Sequence, residues 1–294
     1  MRSTDRIAHR VGVILVTASA LIWSTAGFFT RLIGADTWSL LFWRSLFGAL
    51  FLLAVLVGQE RQGALRAIRT MGWPGWAVAI LSTIVILSYL SALRLTAVAD
   101  VMIIQATVPF VVAGLAWLVM RERASRPTLV ACALATIGVV VMLGGAPLTG
   151  NLWGDVLAFV TTAVYAGILV LLRWHRNVRM TSAACLSALL GAAVTLPFAA
   201  PTSVGARDLF YLMLFGVTQT GLAFLLLTMG SRLIPATENA LIGTLETPLA
   251  PLWVWLAFSE VPTTAALVGG TIVLCAVVGH TIAESRPLPA HRDA

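Results

Sequence analysis

Ten long apolar stretches, separated by short polar or charged segments, make up the pattern of hydrophobic and polar positions along this chain. Each is 17 to 24 residues long, and a helix that crosses a membrane needs about 20 apolar residues. The stretches therefore predict ten membrane-spanning helices, called spans one to ten. Their predicted bounds are residues 11–33, 38–57, 73–93, 97–120, 127–143, 152–172, 181–198, 208–229, 235–258 and 264–282.

The composition agrees with this pattern. Of the 294 residues, 59% are hydrophobic and 11% are charged, and the mean hydropathy is +0.95. A soluble protein carries about 25% charged residues, so a chain this apolar belongs in a lipid bilayer. Ten spans and their loops account for the whole length. The predicted fold class is therefore an all-α polytopic membrane protein with no separate soluble domain.

The basic residues are distributed unevenly between the two sides of the predicted membrane. All 19 are arginine, and 15 of them lie in segments that share a side with the N-terminus. Arg94 and Arg207 lie in loops on the other side, and Arg31 and Arg44 lie within spans. Because short cytoplasmic loops are enriched in arginine and lysine, both termini are predicted to be cytoplasmic, in a bacterial-type inner membrane. Topology then explains the net charge of +7, and no nucleic-acid partner is expected.

The residue types that carry metal or cofactor chemistry are scattered. Three cysteines lie in unrelated spans and four histidines are dispersed without an HExxH motif, so neither a disulfide nor a metal site is predicted. The chain has no lysine for a Schiff base and no P-loop motif for ATP. No cofactor is expected. The predicted partners are a small-molecule substrate and the lipid bilayer, and the sequence leaves a monomer and a dimer open.

The second half of the chain repeats the first. Three groups of residues recur at an offset that falls slowly from 140 to 138 positions: Ala18, Ala26 and Gly27, residues 107–109, and residues 121–122. Each half holds five spans, and because five is odd, the second copy must be inverted. The loop after span four carries three arginines, whereas the loop after span nine carries none. Two inverted five-helix repeats are therefore predicted, residues 1–146 and 147–294, an arrangement that many carriers use for alternating access.

Short motifs point to a known family. Trp23-Ser24 stands in span one, Arg44 stands early in span two, and spans four and nine each carry a proline followed by a glutamate at the helix end. Together with the inverted halves, these features resemble the EamA-type transporters of the drug/metabolite transporter superfamily, over essentially the whole chain. Overall similarity is greatest to the amino-acid exporters, including the aromatic amino-acid exporter. The resemblance implies secondary transport through a central cavity that spans one, three, four, six, eight and nine surround.

Glu246 is the most informative polar residue within a span. A charge at the centre of a bilayer costs about 2.5–3.5 kcal/mol on insertion scales, and Glu246 lies near the middle of span nine. Asn239, Gly243 and Glu246 follow an i, i+4, i+7 spacing, so they are predicted to share one helix face, and the prolines that follow favour a kink beside a cavity. Two interpretations remain open: a cavity carboxylate that takes a proton or a substrate amine, and a protonated glutamate that fixes helix packing.

Other polar and aromatic residues within spans complete the candidate site. The predicted substrate-binding residues are Trp23, Ser24, Tyr89, Thr107, Tyr165, Gln219, Asn239 and Glu246. Residues predicted to act in structure or gating are Arg44, Pro109, Glu122, Pro248, Pro251 and Glu260. For Arg44, a structural role is favoured over contact with a substrate carboxylate. The superfamily that the chain resembles has an arginine at this position in members that carry very different substrates.

Three functional classes are compatible with a helical membrane protein. An intramembrane enzyme needs a nucleophile with a base, or paired aspartates, at membrane depth, and no histidine lies at the middle of a span. A channel needs a ring of selectivity residues from an oligomer, which a single-chain repeat makes unnecessary. The predicted function is therefore an exporter of small metabolites, favoured as amino acids with broad specificity that includes aromatic and large apolar ones. A drug or nucleoside exporter is the alternative.

The predicted topology can be tested by labelling single cysteines in a variant that lacks Cys132, Cys185 and Cys275. We expect cysteines near Arg66, Arg123 and Arg176 to react only with a reagent on the cytoplasmic side, because those loops concentrate arginine. A cysteine in the 144–151 loop should react only from outside. Labelling of that loop from the cytoplasm alone would contradict the topology.

Overall fold

All regular structure in the described part of the chain is helical. The computed structural model describes residues 3–60, 63, 69–144, 151–175, 181–259 and 261–285. The helices are α1 (Ser3–Ser24 and Ala26–Leu32), α2 (Thr37–Glu60), α3 (Gly72–Leu95), α4a (Val98–Gln105), α4b (Val108–Met120), α5 (Arg126–Met142), α6 (Leu152–Trp174), α7 (Thr181–Thr195), α8 (Ala206–Gly230), α9a (Ala236–Gly243), α9b (Glu246–Phe258) and α10 (Thr264–Ser285).

The prediction of a multi-pass helical membrane protein is confirmed. Within the described residues, nine helical stretches are long and apolar enough to cross a membrane. The predicted tenth, α5, is an apolar helix of 17 residues, which spans about 26 Å at 1.5 Å per residue against a hydrocarbon core of about 30 Å. Whether α5 crosses the membrane, and therefore whether the spans number ten, stays a prediction.

The outward surface of the bundle is apolar. Leu118, Val130 and Leu256 are 62%, 59% and 75% exposed, and a soluble protein would not present so many large apolar side chains to water. Lipid is the solvent that suits them, because the helices satisfy their own backbone hydrogen bonds. Small residues and polar groups instead face the helix interfaces.

Contacts between helix ends define two faces of the bundle. At the N-terminal face, His9 near the start of α1 bonds to Glu238 near the start of α9a, at 2.9 Å. On the same face, Arg173 at the end of α6 pairs with Glu122 just after α4b, at 3.5 Å. The starts of α1 and α9 and the ends of α4 and α6 therefore lie together, as alternating crossings require.

The opposite face is held by contacts between the other helix ends. The backbone amide of Gly34, after α1, donates to Asp208 at the start of α8 at 3.2 Å, and the amide of Ala200, after α7, donates to Ser39 in α2 at 2.9 Å. Asp36 accepts hydrogen bonds from Ser39, and these hold the pKa of its carboxyl below the ordinary value. Asp36 thereby stabilises the start of α2.

Helices five positions apart pack in matching ways. Helix α2 packs along its counterpart α7, and α5 packs along its counterpart α10. The contact between α3 and α6 corresponds to the contact between their counterparts α8 and α1. Helices α4 and α9 have the same anatomy: segments of 8 and 13 residues, a two-residue break between them, and a left-handed residue at the end, Arg121 with φ 56° and Ser259 with φ 57°. These likenesses support the repeat, whose symmetry axis stays a prediction.

Close packing of α5 on α10 depends on two glycines. A Cβ added at Gly269 would overlap the carbonyl oxygen of Gly138 and the backbone nitrogen of Met142. Both of these are backbone atoms, which cannot rotate away as the end of a side chain can. The two helix backbones can approach this closely only because neither glycine carries a side chain.

Gly269→Ala should therefore destabilise the protein by about 1–3 kcal/mol, the usual cost of overpacking. Gly279→Ala is the matched control on the same helix, because nothing lies within 4 Å of its added Cβ. The control should be neutral or stabilising, since alanine is the better helix former. Thermal stability in detergent measures both variants, and equal midpoints would contradict the packing argument.

Candidate functional site

Four of the helices that the sequence predicted to surround a cavity are irregular. Helix α1 breaks at Thr25, α4 breaks at 106–107, and α9 breaks at 244–245. In α8, the π-helical turn Gly216–Ala223 replaces ordinary α-helix. Irregular backbone at membrane depth is tolerated only where protein or a cavity covers it, and π-turns are frequent at functional sites. The four irregularities therefore mark the candidate site.

A threonine hydroxyl stabilises each of the three breaks. Thr25, Thr107 and Thr244 donate from Oγ1 to the carbonyl oxygen three residues earlier, at 2.7, 2.6 and 2.6 Å. The backbone amide of the same threonine also donates to each of these carbonyls, so the hydroxyl adds a second donor at the point where the helix is interrupted. The hydroxyl proton of Thr107 is used in this way, so Thr107 can only accept a hydrogen bond from a substrate.

Gln219 joins the π-turn of α8 to the break in α1. Its Nε2 donates to the carbonyl of Ile22 at 2.8 Å and to Oγ1 of Thr25 at 3.0 Å. In return, Nε1 of Trp23 donates to the backbone carbonyl of Gln219 at 3.0 Å. The polar atoms of these two predicted substrate-binding residues are therefore engaged with the protein, and they position α1 against α8.

Ser24 is held in a similar way. Its hydroxyl donates to the carbonyl of Leu21 at 2.7 Å and accepts from Nε1 of Trp253, on α9b, at 2.8 Å. This bond ties the break of α1 to α9b. Sequence reasoning missed Trp253, and nothing in its local sequence distinguishes it from a tryptophan that faces lipid.

Asn239 and Glu246 lie on opposite sides of the break in α9. The i, i+4, i+7 spacing predicts one face for a continuous helix, and the break at 244–245 separates α9a from α9b, so a shared face stays a prediction. Asn239 is buried and its Nδ2 donates to Ser231 at 2.6 Å. The amide therefore fixes the turn before α9a.

In Tyr89, Tyr165 and Glu246 no side-chain polar atom has a described partner, whereas in Asn239 only Oδ1 lacks one. The first three lie on α3, α6 and the first turn of α9b, and each side chain is half-buried. Neither tyrosine hydroxyl nor the Glu246 carboxylate has a hydrogen-bond or ion-pair partner among the described residues. The charge of Glu246 acts on both tyrosines, so the three groups lie near one another.

Arg44 brings the opposite charge to this region. Its charge acts on Tyr89, and its guanidinium carbon lies 5.3 Å from the ring centre of Phe215, immediately before the π-turn. Within the described residues it forms no ion pair with Glu246 or another carboxylate, and its buried Nε has no hydrogen-bond acceptor. The site therefore contains a basic group and an acidic group that do not pair with each other.

The predicted structural prolines lie near the starts of the second helical segments. Pro109 is the second residue of α4b and Pro248 the third of α9b, positions where no backbone amide proton is needed. Pro251 lies inside α9b. The interruption of α9 precedes Pro248, so the threonine-capped break and the proline act together there. Glu260 lies outside the described residues.

Comparison with known proteins identifies the family. The model of the EamA-like transporter family matches residues 10–144 and again residues 152–282, so this chain belongs to the EamA-like transporter family. An uncharacterized transporter of Archaeoglobus fulgidus is 28% identical over 273 residues, which cover 92% of this chain and 96% of that protein. A protein of known crystal structure shares the fold, with a TM-score of 0.78 at 20% identity, over 97% of this chain and all of that one.

The Gln219 contacts give a prediction about stability. Gln219→Leu keeps the volume but removes both donors, so the carbonyl of Ile22 and the Thr25 hydroxyl lose a partner inside the membrane. We expect a loss of about 1–3 kcal/mol, measured as thermal stability in detergent. Gln105→Leu is the matched control, because the Gln105 amide has no described partner. An equal loss in both variants would contradict a bridging role for Gln219.

Proposed function

We propose that this EamA-family transporter exports amino acids by alternating access, with broad specificity that includes aromatic and large apolar side chains. The observation that carries the proposal is the pair of opposite charges, Arg44 and Glu246, which share the site region without pairing. The arginine-rich loops support cytoplasmic termini, which makes the central site reachable for a cytoplasmic substrate.

Two unpaired charges inside a membrane protein are costly, and each favours a partner. A zwitterion supplies both partners at once, because its ammonium group complements Glu246 and its carboxylate complements Arg44. The hydroxyls of Tyr89 and Tyr165 add hydrogen bonds without adding charge. This charge pattern supports an amino acid over a dianion, which would need several basic residues. Arg44 then contacts substrate in addition to packing on Phe215, beyond the structural role that the sequence favoured.

The lining of the site supports broad specificity. Trp23, Tyr89 and Tyr165 would provide aromatic surface near the charged groups, and few fixed polar groups would constrain a side chain. Pockets of this kind orient a ligand with a small number of polar contacts and accept varied apolar groups.

A cationic drug is the second candidate substrate. Glu246 with two aromatic neighbours would also suit an organic cation, since an ammonium group is attracted to the face of an aromatic ring. That substrate leaves Arg44 without a partner, so it uses only one of the two charges. The intramembrane-enzyme alternative loses support, because the chain belongs to a family of transporters.

Counterflow of labelled phenylalanine in proteoliposomes tests which charges the site recognises. Phenethylamine lacks the carboxylate and 3-phenylpropionate lacks the ammonium group, while all three share the ring. We expect each single-charge analogue to compete at least ~10-fold less well than phenylalanine, since a buried charge left unpaired costs more than 1.4 kcal/mol. Competition by phenethylamine that equals or exceeds that of phenylalanine would favour the drug exporter.

Variants assign the two charges to the two ends of the substrate. Glu246→Gln should reduce phenylalanine counterflow by about tenfold or more, and Arg44→Gln should weaken competition by 3-phenylpropionate while it spares that by phenethylamine. Tyr165→Phe should have a smaller effect, about 1 kcal/mol. Tyr211→Phe is its control, on the outer part of α8. Unchanged transport in Glu246→Gln would leave Glu246 with a packing role.

A further inference from the structure

Side-chain hydrogen bonds divide the six central helices into two units. In the first, Ser19 of α1 donates to the carbonyl of Ala223 in α8 at 2.8 Å, and His9 bonds to Glu238 of α9a at 2.9 Å. The α1–α8–α9 unit is further tied by Gln219 and Trp253, described above.

The second unit consists of α3, α4 and α6. Thr161 of α6 donates to Ser88 of α3 at 2.9 Å. Thr96, after α3, bonds to Asp100 of α4a at 2.8 Å and to Asp155 of α6 at 3.0 Å. Glu246 belongs to the first unit, and Tyr89 and Tyr165 belong to this second one. The candidate site therefore lies between the two units.

At the N-terminal face, one short helix of the first unit packs against the second unit. Helix α9a packs along α4b and along α6, and its residues from Ala236 to Ile242 are all buried. At the opposite face, α4a and α9b do not pack along each other, although they are the matching segments. Among the described residues, the two units therefore pack together at the N-terminal face, whereas the corresponding segments at the opposite face do not pack along each other.

Arg173 provides a polar contact across the N-terminal face. It lies at the end of α6, and its Nη1 donates to the carbonyl of Arg232, in the connection between α8 and α9a, at 2.9 Å. Its Nε lies 3.5 Å from a carboxylate oxygen of Glu122. The left-handed backbone of Arg121 turns the chain so that Glu122 returns toward α6. Glu122 thus holds the arginine within its own unit while Nη1 reaches the other.

We propose that Arg173 is a gating residue, whose bridge from Glu122 to the carbonyl of Arg232 holds the N-terminal face closed while the site is open to the opposite face. Access from the N-terminal face requires α9a to separate from α4b and α6, and the Arg173–Arg232 contact breaks in that step. His9–Glu238 lies inside one unit and moves with α9a. The proposal rests on the alternating access of the proposed function.

The test measures access to the closed interface and needs no substrate. Ala240→Cys, on α9a, is placed in a variant that lacks the three native cysteines, and a membrane-impermeant thiol reagent is added at the N-terminal face. Ala240 is buried in the closed face, so labelling requires opening. We expect Arg173→Ala to raise the labelling rate about tenfold or more, because weakening a contact made in one state shifts the population toward the other.

Two controls separate the bridge from general effects of charge and packing. Arg126→Ala removes an arginine at the same face without touching the bridge, and His9→Ala removes a buried contact within one unit. Neither should raise the labelling rate. An Arg173→Ala protein that labels at the parent rate, or a His9→Ala protein that labels as fast as Arg173→Ala, would overturn the proposal.

Glu122→Gln and Arg173→Lys cover the case in which Arg173→Ala does not fold. Glu122→Gln keeps the shape of the side chain but removes the charge that orients Arg173. In Arg173→Lys, an ammonium group cannot contact the Glu122 carboxylate and the Arg232 carbonyl from two different nitrogens, as the guanidinium does. Both should label faster than the parent, and parent-like rates in both would overturn the bridge. A failure of amino-acid transport leaves these outcomes unchanged, so the two proposals fail separately.

Discussion

The requirement that every backbone polar group inside lipid finds a partner shapes this transporter more than any other constraint. Unbroken helices meet it by themselves. The breaks in α1, α4 and α9 interrupt this pattern, and at each break both the backbone amide and the hydroxyl of a threonine donate to the carbonyl three residues earlier. In α1 the same carbonyl also accepts from Gln219, which ties the break of α1 to α8. The breaks are thus the places where helices can bend and, in α1, where one helix is coupled to another.

The positions of these breaks also determine where charge can sit. Glu246 begins α9b directly after the break, so its side chain lies where the helix backbone is interrupted. Arg44 lies on α2 against the aromatic ring that precedes the π-turn. Each charge is therefore supported by a local irregularity or an aromatic face, and neither requires the other. A site with two separate charges is less stable than one with an ion pair, but it can bind a substrate that carries both.

Much of the fold follows from the sequence because long apolar runs leave a membrane helix few alternatives. Helix α5 is the exception, since its 17 residues fall at the lower limit for a span. The breaks were less predictable: the prolines after Glu246 favoured a kink in α9, but the sequence did not place the interruption at 244–245, and the shared face of Asn239 and Glu246 was predicted for a continuous helix. Trp23 and Gln219 were predicted to bind substrate, and in the structure they bond to each other although 196 positions separate them in the sequence. No local pattern tells whether such a group binds a neighbour or a substrate.

Helix α9 connects the proposed site to the proposed gate. Its first segment closes the N-terminal face and its second segment begins with Glu246, so only the residues at 244–245 separate them. A substrate can shift the balance between two conformations only as far as it binds one of them better. A ligand on Glu246 changes the charge at the start of α9b, and the direction of that segment sets how α9a lies against α4b and α6. In this arrangement the Arg173 bridge opposes opening while the site is empty, and the energy to break it comes from contacts that a substrate makes more strongly in the other state.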